Sequence, residues 1–142
     1  MTKTLPRGIR NNNPLNIRIG NRWIGEVENP TDKEFEQFKD MKFGLRAGFI
    51  LLKRYIERYR LTTITDIISR WAPSKENKTR EYIDKVSDYS GIGVLDEISF
   101  NNSFQMIDLV QGMILVECGQ TLNNVEVADA YWRVRKNILP DV

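Results

Sequence analysis

The sequence predicts a single α+β domain, mostly α, with about five helices and a small antiparallel β-sheet near the N-terminus. Over positions 16–38, apolar and polar residues alternate between turn residues, as they do in short strands. From Gly44 onward, apolar residues recur every three or four positions, as they do on one face of a helix. A chain of 142 residues accommodates one core of ordinary size, so we expect a single domain spanning 1–142.

A basic N-terminal arm is expected at residues 1–10. Residues 1–25 carry five basic side chains and no acidic one, whereas residues 26–40 carry six acidic and two basic side chains. This order suits either contact with an anionic polymer or a partly self-neutralised surface. Because the acidic stretch follows at once and the whole chain has a net charge of only +2, we expect no nucleic-acid partner.

The sheet, at residues 16–38, is expected to contain two or three short strands. The alternating segments are 16–19, 23–27 and 35–38, and turn residues at 20–21 and 29–32 separate them. After the sheet, residues 44–138 are expected to form the helical part. Its five helices are predicted from Gly44 to Tyr59, from Ile64 to Trp71, from Asn77 or Thr79 to Gly91, from Asn102 or Ser103 to Gly119, and from Asn123 or Asn124 to just before Pro140.

The amino-acid composition limits the possible chemistry. The chain has no histidine and one cysteine, Cys118, which excludes Ser-His-Asp and Cys-His catalysis and disfavours zinc. We therefore expect neither a metal nor another cofactor. The N-terminus lacks the apolar stretch of a secretory signal peptide, and no segment approaches the length of a membrane span. We expect a protein made in a cytoplasm, without a membrane span.

Glu117 is the acidic residue with the most informative surroundings. It follows four apolar residues, 113–116, near the end of the most apolar predicted helix. Burial and the negative end of the helix dipole both raise a carboxyl pKa. A carboxylic acid that stays protonated near neutral pH is the general acid that glycosidic-bond cleavage requires. The alternative is a carboxylate that points into water beside Gly119.

Three other segments have compositions that can serve a binding site. Acidic residues cluster around the predicted sheet turn near Trp23, which can stack on a sugar, although most of these acids are expected to be surface charges. Residues 70–82 combine aromatic, Asn and Glu side chains around a Pro-containing loop, which is typical of a carbohydrate groove or of a core Trp71 and a helix cap. The Asn-rich residues 11–18 suit contacts with amide and hydroxyl groups, or ordinary turns.

Three segments together resemble a known family: residues 7–18, the spaced Trp, Gly, Phe and Arg residues of 23–47, and residues 70–82. The family is that of phage and prophage structural protein P5-like virion lysins, which is similar to lysozyme-like peptidoglycan hydrolases. In bacterial glucosaminidases and lytic transglycosylases, a helix ending in Glu-x-Gly precedes the Asn-rich segment and the sheet. Here Glu117 comes late, so the resemblance implies a circularly permuted, lysozyme-like domain.

The resemblance implies roles for individual residues. Glu117 is the general acid, and Asp32, preferred over Glu26, is the second catalytic carboxylate. The substrate contacts that the resemblance implies are Asn13, Asn16, Glu76, Asn77 and Tyr82. Arg18 and the sugar-stacking Trp23 are two further expected contacts. One departure from the relatives is the stretch Val116-Glu117-Cys118-Gly119, where they have His-Glu-Asn-Gly.

The resulting hypothesis is a peptidoglycan hydrolase of lysozyme or lytic transglycosylase type that cleaves the glycan strand of the bacterial cell wall. Peptidoglycan is the expected partner, with other virion proteins or a holin as further partners, and we expect a monomer. The protein would act on the wall after release or as a virion component. The alternatives are an endopeptidase that cuts the peptide cross-link and a non-catalytic virion or wall-binding protein, which Val116 and Cys118 favour.

Overall fold

A computed structural model describes residues 4–74 and 77–140. Within these ranges the protein is mostly helical, and no β-strand or sheet occurs there, so the predicted α+β class with a sheet at 16–38 is wrong. The six α-helices are α1 (Arg7–Arg10), α2 (Met41–Lys53), α3 (Ile64–Trp71), α4 (Lys78–Ser90), α5 (Ser103–Cys118) and α6 (Asn124–Arg135). A π-helical turn, Arg54–Arg58, continues α2.

Two isolated antiparallel bridges stand where the sheet was expected. Arg18 pairs with Phe35 and Glu26 pairs with Phe38, each over a single residue. The first pair is flanked by hydrogen bonds from the Ile19 N–H to the Glu34 carbonyl, 3.0 Å, and from the Glu36 N–H to the Ile17 carbonyl, 2.9 Å. The alternating pattern therefore indicates extended, paired backbone, but the pairing does not propagate into strands.

The side chain of Asn13 explains why the pairing stops. Its Oδ1 accepts from the Ile17 N–H at 3.0 Å, and its Nδ2 donates to the carbonyls of Ile17 and Glu36 at 2.9 and 3.0 Å. A longer ladder would pair the Ile17 N–H with the Glu36 carbonyl. Because the Asn13 amide binds both of these groups instead, the ladder ends on this side of the bridge between Arg18 and Phe35.

Local capping signals account for most helix ends. Thr63, Asn102 and Asn123 accept backbone N–H bonds at the starts of α3, α5 and α6. Gly91 and Gly119, at φ 73° and 72°, terminate α4 and α5 in the left-handed conformation. These bounds agree with the predicted ones. The end of α6 differs, because this helix stops at Arg135, before the predicted end.

Two helix starts differ from the predictions. Asp40 caps α2 by accepting from the Lys42 N–H, so α2 begins at Met41, before Gly44. Residues 7–10 of the predicted basic arm form α1, a short helix against the C-terminal end of α5. Gly8 permits this approach: a Cβ there would lie 2.8 Å from both the Asn13 carbonyl oxygen and the Cys118 Sγ.

Helix α5 is the centre of the helical part, residues 41–140. It packs against α4 and α6, and α2 packs against α6 from the other side. Among its fully buried side chains are Met106, Leu109, Val110, Met113 and Ile114. No helix among the described residues is long and apolar enough to cross a membrane. The last turn of α5 emerges from this core towards residues 4–40, which we call the N-terminal segment, and there it carries Glu117.

Candidate active site

A groove of about 660 Å³ lies between the N-terminal segment and the helical part. Asn16, Arg18 and Phe35 line it on the side of the N-terminal segment. On the opposite side its lining comes from α2 and the π-helical turn, from the connection between α3 and α4, and from α4 and α5. Each wall of the groove therefore comes from a different part of the chain.

The carboxyl group of Glu117 is held between the two walls. Its Oε1 accepts from Asn16 Nδ2 at 2.9 Å, and its Oε2 accepts from the Tyr82 hydroxyl at 2.9 Å. Burial raises the pKa of Glu117, while the two hydrogen bonds and the positive charge of Arg18 oppose the rise. The net direction is upward, which favours the protonated acid.

Asn16 reaches Glu117 because of its unusual backbone conformation. Its φ is 51°, in the left-handed region that Asn tolerates better than most residues. Its own N–H donates to the Asn13 carbonyl at 3.0 Å, which closes the turn. The left-handed turn brings the Asn16 side chain next to a residue 101 positions later in the chain.

Tyr82 provides the second hydrogen bond from α4. Its side chain is buried, and burial together with the nearby carboxyl of Glu117 holds the pKa of the phenol well above its usual value. The hydroxyl therefore keeps its proton across the ordinary pH range and remains available as a donor to Glu117.

Aromatic residues line the helical side of the groove away from Glu117. Tyr55, on the π-helical turn, packs edge-to-face on Trp71 with the ring centres 5.7 Å apart. The Arg70 guanidinium lies 5.4 Å from the Tyr55 ring centre and 4.4 Å from that of Tyr59. Sequence reasoning missed Tyr55, because the π-helical turn that presents it has no signature in the helical spacing.

The charges that line the groove are unequal. Among the described residues of its lining, Glu117 is the single carboxylate, whereas Arg18 and Lys78 are cations. Arg18 also lies over the ring of Phe35, 5.0 Å from its centre. A ligand that carries carboxylates of its own therefore suits the groove better than a cationic one.

Asn13 and Asp32 do not line the groove. Asn13 is buried, with its amide bound to the backbone as described above. Asp32 accepts from Arg7 at 2.7 Å and from Asn11 at 2.9 Å, and these bonds, with others from the backbone, hold its carboxyl pKa well below the usual range. Both residues instead shape the N-terminal segment that carries Asn16.

The other predicted contacts divide as follows. Arg18 and Tyr82 lie at the groove with Asn16 and Glu117, whereas Trp23 and Asn77 are absent from its lining. Glu76 lies outside the described residues. No group of three or more potential metal-binding side chains occurs within 4–74 and 77–140.

The two residues that flank Glu117 face different surroundings. Val116 is partly buried and packs against the hydrophobic core. Cys118 is buried and donates to the Pro14 carbonyl at 3.3 Å, while burial and the neighbouring Glu117 raise the pKa of its thiol to about 11. Cys118 thus joins the end of α5 to the N-terminal segment.

The chain is similar to a phage protein. Over 90 residues it is 48% identical to Protein P5 of Pseudoalteromonas phage PM2. The match covers 61% of this chain and 56% of that protein, so the chain spans just over half the length of this relative. No protein-family model matches the chain.

Proposed function

We propose that the protein cleaves the glycan strand of peptidoglycan, with Glu117 as the general acid. The observation that carries this proposal is the Glu117 carboxyl itself: it lies in a groove, is held on both oxygens, and has a raised pKa. A protonated carboxylic acid at a fixed position in a groove is what glycosidic-bond cleavage requires.

In the first step, Glu117 gives its proton to the glycosidic oxygen. The bond between that oxygen and the anomeric carbon breaks, and positive charge develops on the sugar ring. The leaving sugar departs with the proton as a hydroxyl group, and Glu117 becomes a carboxylate. Asn16 and Tyr82 donate hydrogen bonds to this carboxylate, and the positive charge of Arg18 attracts it. The site therefore stabilises the ionised Glu117 that the proton transfer produces.

In the second step, a water molecule or a hydroxyl of the same sugar attacks the anomeric carbon. The proton that the attacking hydroxyl loses returns to Glu117, and the acid is restored. Water gives hydrolysis, and the internal hydroxyl gives an anhydro sugar. The single carboxylate in the described lining favours the internal hydroxyl, because a hydrolase uses a second carboxylate as nucleophile or base.

The rest of the groove supports this class of substrate. A volume of about 660 Å³ falls within the range of ordinary ligand sites. Tyr55 and Trp71 offer apolar ring surface for sugar faces, and Arg18 and Lys78 suit the carboxylates that peptidoglycan carries. Similarity to a phage protein agrees with wall degradation as the task, either from the virion or after release.

The decisive experiment replaces Glu117 by its near-isosteric amide. Glu117→Gln is expected to lower the clearing of purified peptidoglycan at least a hundredfold, because the amide cannot donate a proton as an acid does. The matched control is Glu97→Gln, at an exposed position away from the groove. Equal clearing by both variants contradicts the proposal.

Analysis of the products identifies the bond. Mass spectrometry of released fragments is expected to show new reducing ends or anhydro sugars, whereas free amines on the stem peptides indicate an endopeptidase. The rate is expected to fall as pH rises through the pKa of Glu117, because the reactive form is protonated. Its raised pKa shifts this fall to a higher pH than that of an ordinary glutamate.

One observation favours a second function, that of a non-catalytic wall-binding protein. Both oxygens of Glu117 already accept hydrogen bonds within the protein, as in a carboxylate whose role is structural. In that case the protein sediments with purified walls without releasing fragments, and Glu117→Gln changes neither result by more than the Glu97→Gln control.

A further inference from the structure

The Asn16 side chain has an unpaired acceptor beside the proposed acid. Its Nδ2 donates to Glu117, but its Oδ1 is buried and has no hydrogen-bond partner among the described residues. A buried acceptor without a donor destabilises a protein. When Nδ2 points towards Glu117, the Oδ1 of the same amide is therefore left without a hydrogen bond.

The groups near that Oδ1 do not donate a hydrogen bond to it. It faces Gly8, where a Cβ would lie 3.0 Å from it and 2.8 Å from both the Asn13 carbonyl oxygen and the Cys118 Sγ. The Asn13 carbonyl can only accept, and the Cys118 thiol donates to the Pro14 carbonyl. Neither neighbour supplies a hydrogen to Asn16 Oδ1, whereas both can accept one.

A half-turn of the amide about its last side-chain bond reverses this pattern. The oxygen and the NH₂ group of asparagine have nearly the same size, so the turn exchanges them without displacing neighbours. Oδ1 then lies towards Glu117 Oε1, and Nδ2 lies towards Gly8, beside which the Asn13 carbonyl oxygen and the Cys118 sulfur also lie. This second orientation requires that Glu117 carry a proton to donate, because an ionised carboxylate would oppose Oδ1 with another acceptor.

The backbone around Asn16 confines any such motion to the amide. The Asn16 N–H is bonded to the Asn13 carbonyl, and the Asn13 side chain is bonded on three sides to Ile17 and Glu36. The Cys118 contact with Pro14 joins the same turn to α5. The Cα of Asn16 is thus held in place while its amide group can rotate.

We propose that Asn16 is a positioning residue whose amide turns over with the protonation of Glu117, so that Nδ2 faces the ionised carboxylate and Oδ1 faces the protonated acid. The role of this amide rotation in a reaction cycle rests on the proposed function. Glu117 gives and regains a proton in each cycle, and the turning amide holds its carboxyl at one place in both states.

Three other groups act on Glu117 or are affected by it. Arg18 supplies a positive charge near the carboxyl. Burial and Glu117 keep the pKa of the Tyr82 phenol well above its usual value and raise that of the Cys118 thiol to about 11. Glu36, in the neighbouring backbone turn, has a pKa raised to about 7, and its carboxyl pairs with that of Glu26. A pH-dependent change in the Asn16 amide therefore has to be distinguished from a change that the titration of Glu36 causes.

The test is a pH titration of the full chain labelled with ¹⁵N and ¹³C, followed by nuclear magnetic resonance. The side-chain NH₂ signals of Asn16 are expected to shift with the same midpoint as the Glu117 carboxyl carbon. Below that midpoint, cross-relaxation between the Asn16 NH₂ protons and the Gly8 Hα is expected to increase at least twofold. The amide of Asn13, bonded at both its nitrogen and its oxygen, is the internal control and is expected to keep its contacts.

Glu117→Gln is expected to abolish the pH dependence of the Asn16 signals. A dependence that persists in this variant with a midpoint near 7 assigns the effect to Glu36 and overturns the proposal. Asn16 contacts that stay the same across the Glu117 titration overturn it as well. Because the measurement needs no substrate, a turning amide in a protein that cleaves no glycan contradicts only the proposed function, and cleavage with a fixed amide contradicts only this inference.

Discussion

The N-terminal segment and the helical part are stabilised by different interactions. In residues 4–40, side-chain amides and carboxylates bind the backbone: Asn13 binds Ile17 and Glu36, and Gln37 accepts from the N–H groups of Thr31 and Asp32. In residues 41–140, helices bury a continuous apolar core around α5. The first region adds matched polar groups to the side chains that it contributes to the core, among them Leu15, Ile17 and Phe38, whereas the second relies on burial and packing.

The difference explains where the candidate site lies. Glu117 extends from the apolar helical part, whose burial raises its pKa, while Asn16 and Arg18 come from the polar segment and act in the opposite direction. A carboxyl group with a raised pKa thus lies at the boundary between the two regions. The helical part supplies the burial and the Tyr82 donor, and the N-terminal segment adds the Asn16 donor and the charge of Arg18.

Removal of a core side chain from the helical part should have the largest effect on stability. Leu109→Ala deletes a fully buried side chain of α5 and is expected to lower the free energy of unfolding by about 2–5 kcal/mol. Urea denaturation followed by circular dichroism measures this loss. Leu139→Ala, at a side chain 66% exposed, is the control and is expected to change little. Equal losses in the two variants would show that α5 is not the centre of the core.

The contact between the two regions is tested at Gly44. A Cβ on this residue of α2 would lie within 2 Å of the Asn12 carbonyl oxygen, so the N-terminal segment would have to move. Gly44→Ala is expected to lower the free energy of unfolding by about 1–3 kcal/mol and to displace Asn16 from Glu117. Gly20→Ala, where a Cβ meets no atom within 4 Å, is the control. A Gly44→Ala protein with unchanged stability and unchanged Asn16 amide signals contradicts this role of the contact.

The smallest expected effect concerns the polar region and depends on pH. Burial, then the hydrogen bond and negative charge of Glu26, raises the pKa of Glu36 to about 7. Because the folded state holds this proton more tightly than the unfolded chain, Glu36 stabilises the fold below about pH 4.5, and that stabilisation is lost as pH rises through 7. Glu36→Gln, which stays neutral, is therefore expected to raise the urea midpoint at pH 8 relative to the unmodified protein.

The comparison at pH 4 provides the control for Glu36→Gln. At that pH both the carboxyl and the amide are neutral, so the two proteins are expected to have similar urea midpoints. A stabilisation of equal size at pH 4 and pH 8 would mean that the substitution acts through packing, and that the Glu36 proton contributes nothing to the pH dependence of folding.

The helices could be predicted from the sequence more accurately than the N-terminal segment. Thr63, Asn102 and the two terminating glycines, Gly91 and Gly119, are signals that act within one turn of backbone, so their effect does not depend on distant residues. The alternating pattern at 16–38 indicated extended backbone, but whether extended segments form a sheet depends on which groups their N–H and C=O bind. Asn13 ends the pairing on one side of the bridge, because its amide binds the Ile17 N–H and also the Glu36 carbonyl, 23 positions later in the chain.

The candidate site was predictable only in part for the same reason. Glu117 stands out in the sequence because uncharged residues precede it over a whole helical turn. Asp32 was predicted to be the second catalytic carboxylate, but it forms an ion pair with Arg7 and does not line the groove. Tyr55 carried no signal at all, because a π-helical turn changes the direction of a side chain without changing the apolar spacing around it.

By itself, the sequence determined the absence of histidine, five helices of nearly correct extent, and one acid at the end of the most apolar helix. Only the tertiary structure decided that this acid faces a groove, that Asn16 and Tyr82 hold it, and that one oxygen of Asn16 is left unpaired. The physical reason is range. Helix propensity and capping act over a few residues, whereas desolvation and hydrogen bonds between residues 101 positions apart exist only once the chain has folded.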